Sequence, residues 1–333
     1  MNHYQRTLRL GLTLIGCALV ARLTDAGLLQ AVADFLTQPN IAPAWIYLET
    51  GRFVRFSQSP QEDVFFALES ALPDFARLEP ERPSFTEEEG DGVAVRYNCT
   101  VRPDLGELIT RELNWDLTGE EPAVLILHTH TTESYTRSAG EEYTETAMFR
   151  TLNENYNMLS VGDRLTELLE AGGVRVLHDR ELHDYPIYNG SYTHAAESTR
   201  AYLDQYPSIG LILDLHRDAA ETPTGEQVAT GCTIDGEQAA QLMFVLGTDT
   251  RLQHPDWEDN LSLALKLQVL LEKETPGICR RLSLSKNRYN QHLGRYALIV
   301  EIGAAGNTLD QARPAAKKLA EAIVKLAQMQ NAE

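Results

Sequence analysis

Ala123-Val124-Leu125-Ile126-Leu127-His128-Thr129-His130-Thr131-Thr132-Glu133-Ser134-Tyr135 is the stretch that decides the fold. An unbroken apolar run of this length is what a strand buried on both faces requires, and here it ends at once in histidines, threonines and a glutamate. The same arrangement recurs downstream. Gly210-Leu211-Ile212-Leu213-Asp214-Leu215 runs into His216-Arg217-Asp218, and Tyr296 to Ile302 carries Glu301 near its end. A further strand fits Gln241 to Leu246. Between them the apolar spacing becomes helical at Leu159–Glu170, Ala195–Tyr206, Asn260–Lys273 and Gln311–Gln328. Gly172-Gly173 stops the first of these helices before a strand at Val174–Leu177. Strands alternating with helices predict an α/β domain over residues 116–333, with a mostly parallel sheet covered by helices on both faces. In such sheets functional side chains gather beyond the carboxyl ends of the strands.

Upstream the pattern differs. Residues 26–115 read as a helix-rich region, with helical spacing at Leu28–Leu36 and Val64–Leu78, and with an acidic, proline-bearing linker at Glu79–Asp91 (EPERPSFTEEEGD). Residues 1–25 read as a signal-anchor. Leu10 to Ala21 is uncharged and apolar, preceded by Arg6 and Arg9 and followed by Arg22. The run is shorter than the ~20 residues of a full span, but its flanking arginines can snorkel. Leu14-Ile15-Gly16-Cys17 resembles a lipoprotein cleavage box, yet the apolar run continues past Cys17, which favours an uncleaved anchor. The expectation is a single pass through the cytoplasmic membrane with the catalytic domain outside it.

Composition narrows the chemistry. With 29 Lys+Arg against 48 Asp+Glu, the formal charge of −19 excludes a nucleic-acid groove and a basic lipid-docking face. Cys17, Cys99, Cys232 and Cys279 are scattered without a Cys-x-x-Cys pair, so neither a cysteine zinc finger nor a disulfide framework is expected. Any metal must be held by histidines and carboxylates.

Three strand ends supply such groups. A catalytic zinc takes about three nitrogen or oxygen ligands and keeps a position open for water. His130 and Glu133, three residues apart just past a strand, can turn back onto one ion, and His216 past another strand can supply the third ligand. Glu301, ending an apolar strand, suits the base that takes the proton of the attacking water, and Arg217 is a candidate to stabilise the oxyanion. A single histidine after a strand is ordinarily a polar cap, and Glu301 by itself could be the partner of Arg295. Together, at the ends of three apolar strands, these groups point to metal-assisted hydrolysis. His128 fits either a group that orients a ligand or a satisfied core histidine. His178 and His183 read as loop filling, and His194 and His254 have no assigned role.

His128-Thr129-His130-Thr131-Thr132-Glu133-Ser134-Tyr135, Asn155-Tyr156-Asn157 through Gly162-Asp163, Asn189-Gly190-Ser191-Tyr192, Asp214-Leu215-His216-Arg217-Asp218-Ala219 and Glu301-Ile302-Gly303 with Asn307-Thr308 together resemble the stage II sporulation protein P family over roughly residues 120–330. The resemblance implies a zinc N-acetylmuramoyl-L-alanine amidase. Such an enzyme would cut the amide between glycan strand and stem peptide in peptidoglycan, during engulfment in sporulating bacteria, beside the stage II sporulation proteins D and M. It also implies a fold shared with zinc carboxypeptidases, with His130, Glu133 and His216 on zinc and Glu301 as base. Classical amidases of this fold take their glutamate from just before the first helix, where this chain offers Glu154. The three-residue spacing from His130 favours Glu133. A peptidase acting on the stem peptide and a non-catalytic wall-binding scaffold stand as the alternatives.

Overall fold

In chain order the elements are α1 (Glu87–Asp91), β1 (Val95–Asn98), α2 (Leu105–Thr110), β2 (Val124–Leu127), β3 (Glu145–Ala147), β4 (Arg150–Thr151), α3 (Met158–Ala171), β5 (Val176–His178), α4 (Ser191–Gln205), β6 (Leu211–Asp218), β7 (Cys232–Ile234), β8 (Glu237–Ala239), β9 (Leu242–Gly247), α5 (Trp257–Glu274), β10 (Leu282–Ser285), β11 (Ala297–Ala304) and α6 (Leu309–Gln330). They come from a computed structural model that describes residues 85–330. The apolar run Leu10–Ala21 and the helical stretches Leu28–Leu36 and Val64–Leu78 lie outside the described residues. Among the described residues no helix is long and apolar enough to cross a membrane.

The seven-stranded sheet has the order β1-β10-β9-β11-β6-β2-β5. Every pairing is parallel except β9 with β11, which is antiparallel. The apolar runs that opened the sequence reading are the central strands, and all of Val124–Leu127 is buried. Alternate residues face opposite sides. Leu125 and Leu127 pack with Ala195 of α4, Ile212 and Ala297 on one face. Val124 and Ile126 meet the larger core built by α3, α5 and α6 on the other. Helices therefore cover both faces, most of them on one.

The helix limits follow from local chemistry. Asn157 caps α3, its side chain accepting from Leu159 N, and Gly172 ends it. From Asn260 through Leu271 α5 is buried on every side, as a helix wedged between a sheet and other helices must be.

Residues 85–115 are continuous with the sheet and its core. β1 pairs in parallel with β10 at the sheet edge, and α2 buries Leu105, Leu108 and Ile109 in the main core. The stretch read as an acidic linker holds α1, started by a capping box in which Thr86 and Glu89 satisfy each other's backbone N–H groups.

Candidate active site

The turn after β2 is pinned by its own threonines. Thr129 donates through N and Oγ1 to the two oxygens of buried Asp214, at 2.8 and 2.6 Å. Thr132 does the same to Asp184, at 3.1 and 2.7 Å. Glu133 N donates to His130 O at 3.1 Å, closing the two candidate ligands into one turn. Beneath it, Gly162 of α3 must be glycine: an added Cβ would stand 2.4 Å from His178 Nε2 and 2.6 Å from His128 Nε2.

Three elements then bring four side chains together. Glu133 Oε2 is 3.5 Å from His216 Nδ1, and the His130 ring stands edge-on to that of His216 with centroids 5.4 Å apart. Glu301 is the registered partner of His216 across the parallel β6–β11 pairing, which sets the two side chains on one face of neighbouring strands. The register shifts between Glu301 and Ala304, where Gly303 takes a φ of 74°. Bulges of this kind re-aim side chains beside active sites.

Electrostatics distinguish the roles. Burial would raise the Glu133 carboxyl, but Arg217, His216 and His130 outweigh it and hold it down at about 2. Burial opposes a charge on His216, yet Asp214 and Glu133 lift its pKa well above the ordinary value. His216 Nε2 lies 2.9 Å from Asp214 Oδ1, near enough for an ion pair, but it makes no hydrogen bond there. Burial pushes Glu301 up to about 8, with Glu133 adding to the rise and His216 opposing it. Within this cluster His130 Nδ1 and Glu301 Oε2 are buried without a hydrogen-bond partner, and buried polar atoms are ordinarily paired. Two imidazoles and an ionised carboxylate make a nitrogen–oxygen donor set that suits zinc.

Other predicted residues fall elsewhere. Arg217 is not free to meet an oxyanion. Its Nε donates to Ser134 O and its Nη2 to Phe149 O, both at 3.0 Å, and Nη1 sits 3.4 Å from Glu133 Oε1. It holds Glu133 in place. His128 has both ring nitrogens taken, by Leu215 O at 3.1 Å and by His178 at 2.9 Å. Glu154 accepts from Arg180 at 2.7 Å and is 41% exposed, so Glu133 is the glutamate that meets His216.

A second cluster is tighter. The donor atoms of Asp179, Glu181 and His183 all lie within 4.8 Å of one another. They are already used by the protein: His183 Nε2 is 2.8 Å from Asp179 Oδ2, Asp179 Oδ1 accepts from Glu181 N and Tyr202, and Glu181 accepts from Ser198. This group braces its loop. A cleft of about 490 Å³ lined by Glu272, Lys273, Cys279, Arg280 and Arg281, among others, contains none of the site residues.

The roles of several contributors escaped the sequence reading. Arg150 reaches Glu133 Oε1 at 3.3 Å and the buried Asp184 carboxylate. Tyr188 stacks on His130 with centroids 4.9 Å apart, and Tyr192 stands edge-on to it at 5.7 Å. Asp214 was legible, because strand alternation puts it on the face of His216. Asn307 is structural: its side chain accepts from Thr230 N and Ala304 N and donates to Thr230 O, tying down the end of β11.

Comparison with solved structures finds an N-acetylmuramyl-L-alanine amidase of Mycobacterium smegmatis, at 16% identity and a TM-score of 0.38 over 66% of this chain and 100% of that one. It also finds an N-acetylmuramoyl-L-alanine amidase of Nostoc punctiforme, at 13% identity and a TM-score of 0.36 over 65% and 100%. Among curated proteins, Stage II sporulation protein P of Bacillus subtilis (strain 168) is 30% identical over 216 residues, 61% of this chain and 51% of that protein. The chain thus spans about half the length of that relative. The family described as Stage II sporulation protein P (SpoIIP) matches residues 71–324, a span that takes in β1, the pinned turn and all the site residues. The chain belongs to the stage II sporulation protein P family.

Proposed function

We propose that this chain is a zinc-dependent N-acetylmuramoyl-L-alanine amidase that hydrolyses the lactyl-amide bond between glycan strand and stem peptide in peptidoglycan. The observation that carries the reading is the convergence of His130, Glu133 and His216, with Glu301 registered beside His216. Family membership and the orphaned His130 Nδ1 support it.

Zinc held by His130, Glu133 and His216 would supply a Lewis acid for the scissile carbonyl and lower the pKa of a water. The protein does the rest. Arg217 keeps Glu133 ionised, and Arg150 helps to hold it in place. Asp214, 2.9 Å from the outer nitrogen of His216, sets a negative charge behind that ligand. Glu301 accepts the proton of the attacking water and returns it to the L-alanine amine as the C–N bond breaks. Burial raises the Glu301 carboxyl, and the charge of a bound zinc would draw it back toward neutral, where a carboxyl can make both transfers.

The anchor at residues 1–25 would hold the domain outside the cytoplasmic membrane, for septal wall remodelling in engulfment with the stage II sporulation proteins D and M. A C-terminal reporter that works only when exported should be active; activity of a cytoplasmic reporter would contradict the topology.

The enzymatic test is digestion of purified peptidoglycan by the intact chain in detergent, followed by mass spectrometry. Intact stem peptides with free L-alanine amines are expected. Shortened stem peptides would replace the amidase with a peptidase, and binding without release would make the chain a scaffold.

A further inference from the structure

Tyr188 sits in the loop between β5 and α4 and is 51% exposed, so core packing does not dictate where its ring lies. The ring nonetheless lies flat on the imidazole of His130, with planes 13° apart. Its hydroxyl is 3.4 Å from His130 Nε2. The guanidinium of Arg150 stands 4.7 Å from the centroid of the same tyrosine ring, and Arg150 also reaches Glu133. One exposed side chain touches a candidate ligand directly and another through a single intermediary.

We propose that Tyr188 is a positioning residue for the metal centre, holding the His130 ring so that Nδ1 is the nitrogen offered to the ion. The inference rests on reading His130, Glu133 and His216 as the ligands. A neutral imidazole carries one proton, and the nitrogen without it is the one that binds metal. Nε2 faces the Tyr188 hydroxyl, and Nδ1 is the His130 nitrogen that has no protein partner and so is the one left to offer its lone pair. His216 repeats the arrangement, its Nε2 beside Asp214 and its Nδ1 beside Glu133. Both histidines turn Nε2 to a protein group and keep Nδ1 for the shared space. At 3.4 Å the hydroxyl contact is long, so the stacked ring does most of the holding.

The test is zinc affinity, measured on the intact chain in detergent by competition with a chromophoric chelator, with thermal midpoints of the metal-free proteins alongside. Tyr188→Ala should weaken zinc binding by roughly 10- to 100-fold, the usual effect of removing a group that orients a ligand. The thermal midpoint should not move, since the residue is exposed. Tyr188→Phe keeps the ring and should recover most of the affinity, and Ile187→Ala next to it should change neither quantity. Unchanged affinity in Tyr188→Ala, with zinc still lost in His216→Ala, would overturn this inference and leave the ligand assignment standing. Tighter binding in Tyr188→Ala would make the ring a cover and overturn it equally. A wild-type chain that binds no zinc would overturn both.

Discussion

His216 and Glu301 are registered partners across the parallel β6–β11 pairing, and the register breaks immediately after them. A proposed ligand and a proposed base are thus fixed by backbone hydrogen bonding in the middle of the sheet, where neither can drift from the other.

That relationship separates holding the metal from handling protons. Glu301→Gln keeps the shape of the side chain and should leave zinc content and peptidoglycan binding unchanged. Turnover should fall by about 10²- to 10⁴-fold, the usual contribution of a general base, with the loss in kcat rather than KM. Near-normal turnover in hydrolysis assays would remove Glu301 from the mechanism, and lost zinc would make it a ligand.

The contribution of β1 and α2 predicts where the chain can be cut. A version beginning at residue 116 loses the edge strand and the buried Leu105, Leu108 and Ile109. At about 1.5–3 kcal/mol for each buried side chain, the loss approaches the whole stability of an ordinary domain. Thermal melts followed by circular dichroism should show cooperative unfolding for a version beginning at residue 71 and none for one beginning at 116. Equal melting of the two would contradict the placement of β1 in the sheet.

Lys266 on α5 is 5% exposed, donates to Ile109 O and lies 4.9 Å from the Phe85 ring. Burial lowers its pKa from 10.5 to about 8. Below pH 8 both folded and unfolded chains hold this proton, and the cost of burying the cation is present in full. Between about 8 and 10.5 the folded chain releases the proton while the unfolded chain keeps it, so this group makes stability rise with pH. Denaturant titrations of wild type and Lys266→Met should therefore show a difference that shifts toward the wild type by up to about 3 kcal/mol across that window. A pH-independent difference would contradict the buried-cation account.

The central strands were legible because continuous apolar runs have few other uses in a soluble domain. β1 and β10 were not read, since Val95–Asn98 and Leu282–Ser285 are short and interleave apolar with polar residues, a pattern that loops share. That Glu133 turns back beside His130 was legible from their three-residue spacing. The role of Arg150 was not, because it depends on a bridge between Arg150 and Glu133 that no local pattern announces. Arg217 was read as an oxyanion donor from its place beside His216, whereas its partners Ser134 O and Phe149 O come from segments far away in sequence.

Zinc per chain, determined by elemental analysis of the intact protein after dialysis, tests the centre most directly, because two acidic–histidine clusters compete for the assignment. About one zinc is expected in the wild type and in Glu154→Gln and Glu181→Gln, with most of it lost in His130→Ala and His216→Ala that still melt cooperatively. Zinc retained in a folded His216→Ala, or lost in Glu181→Gln, would contradict the account and move the metal to Asp179, Glu181 and His183.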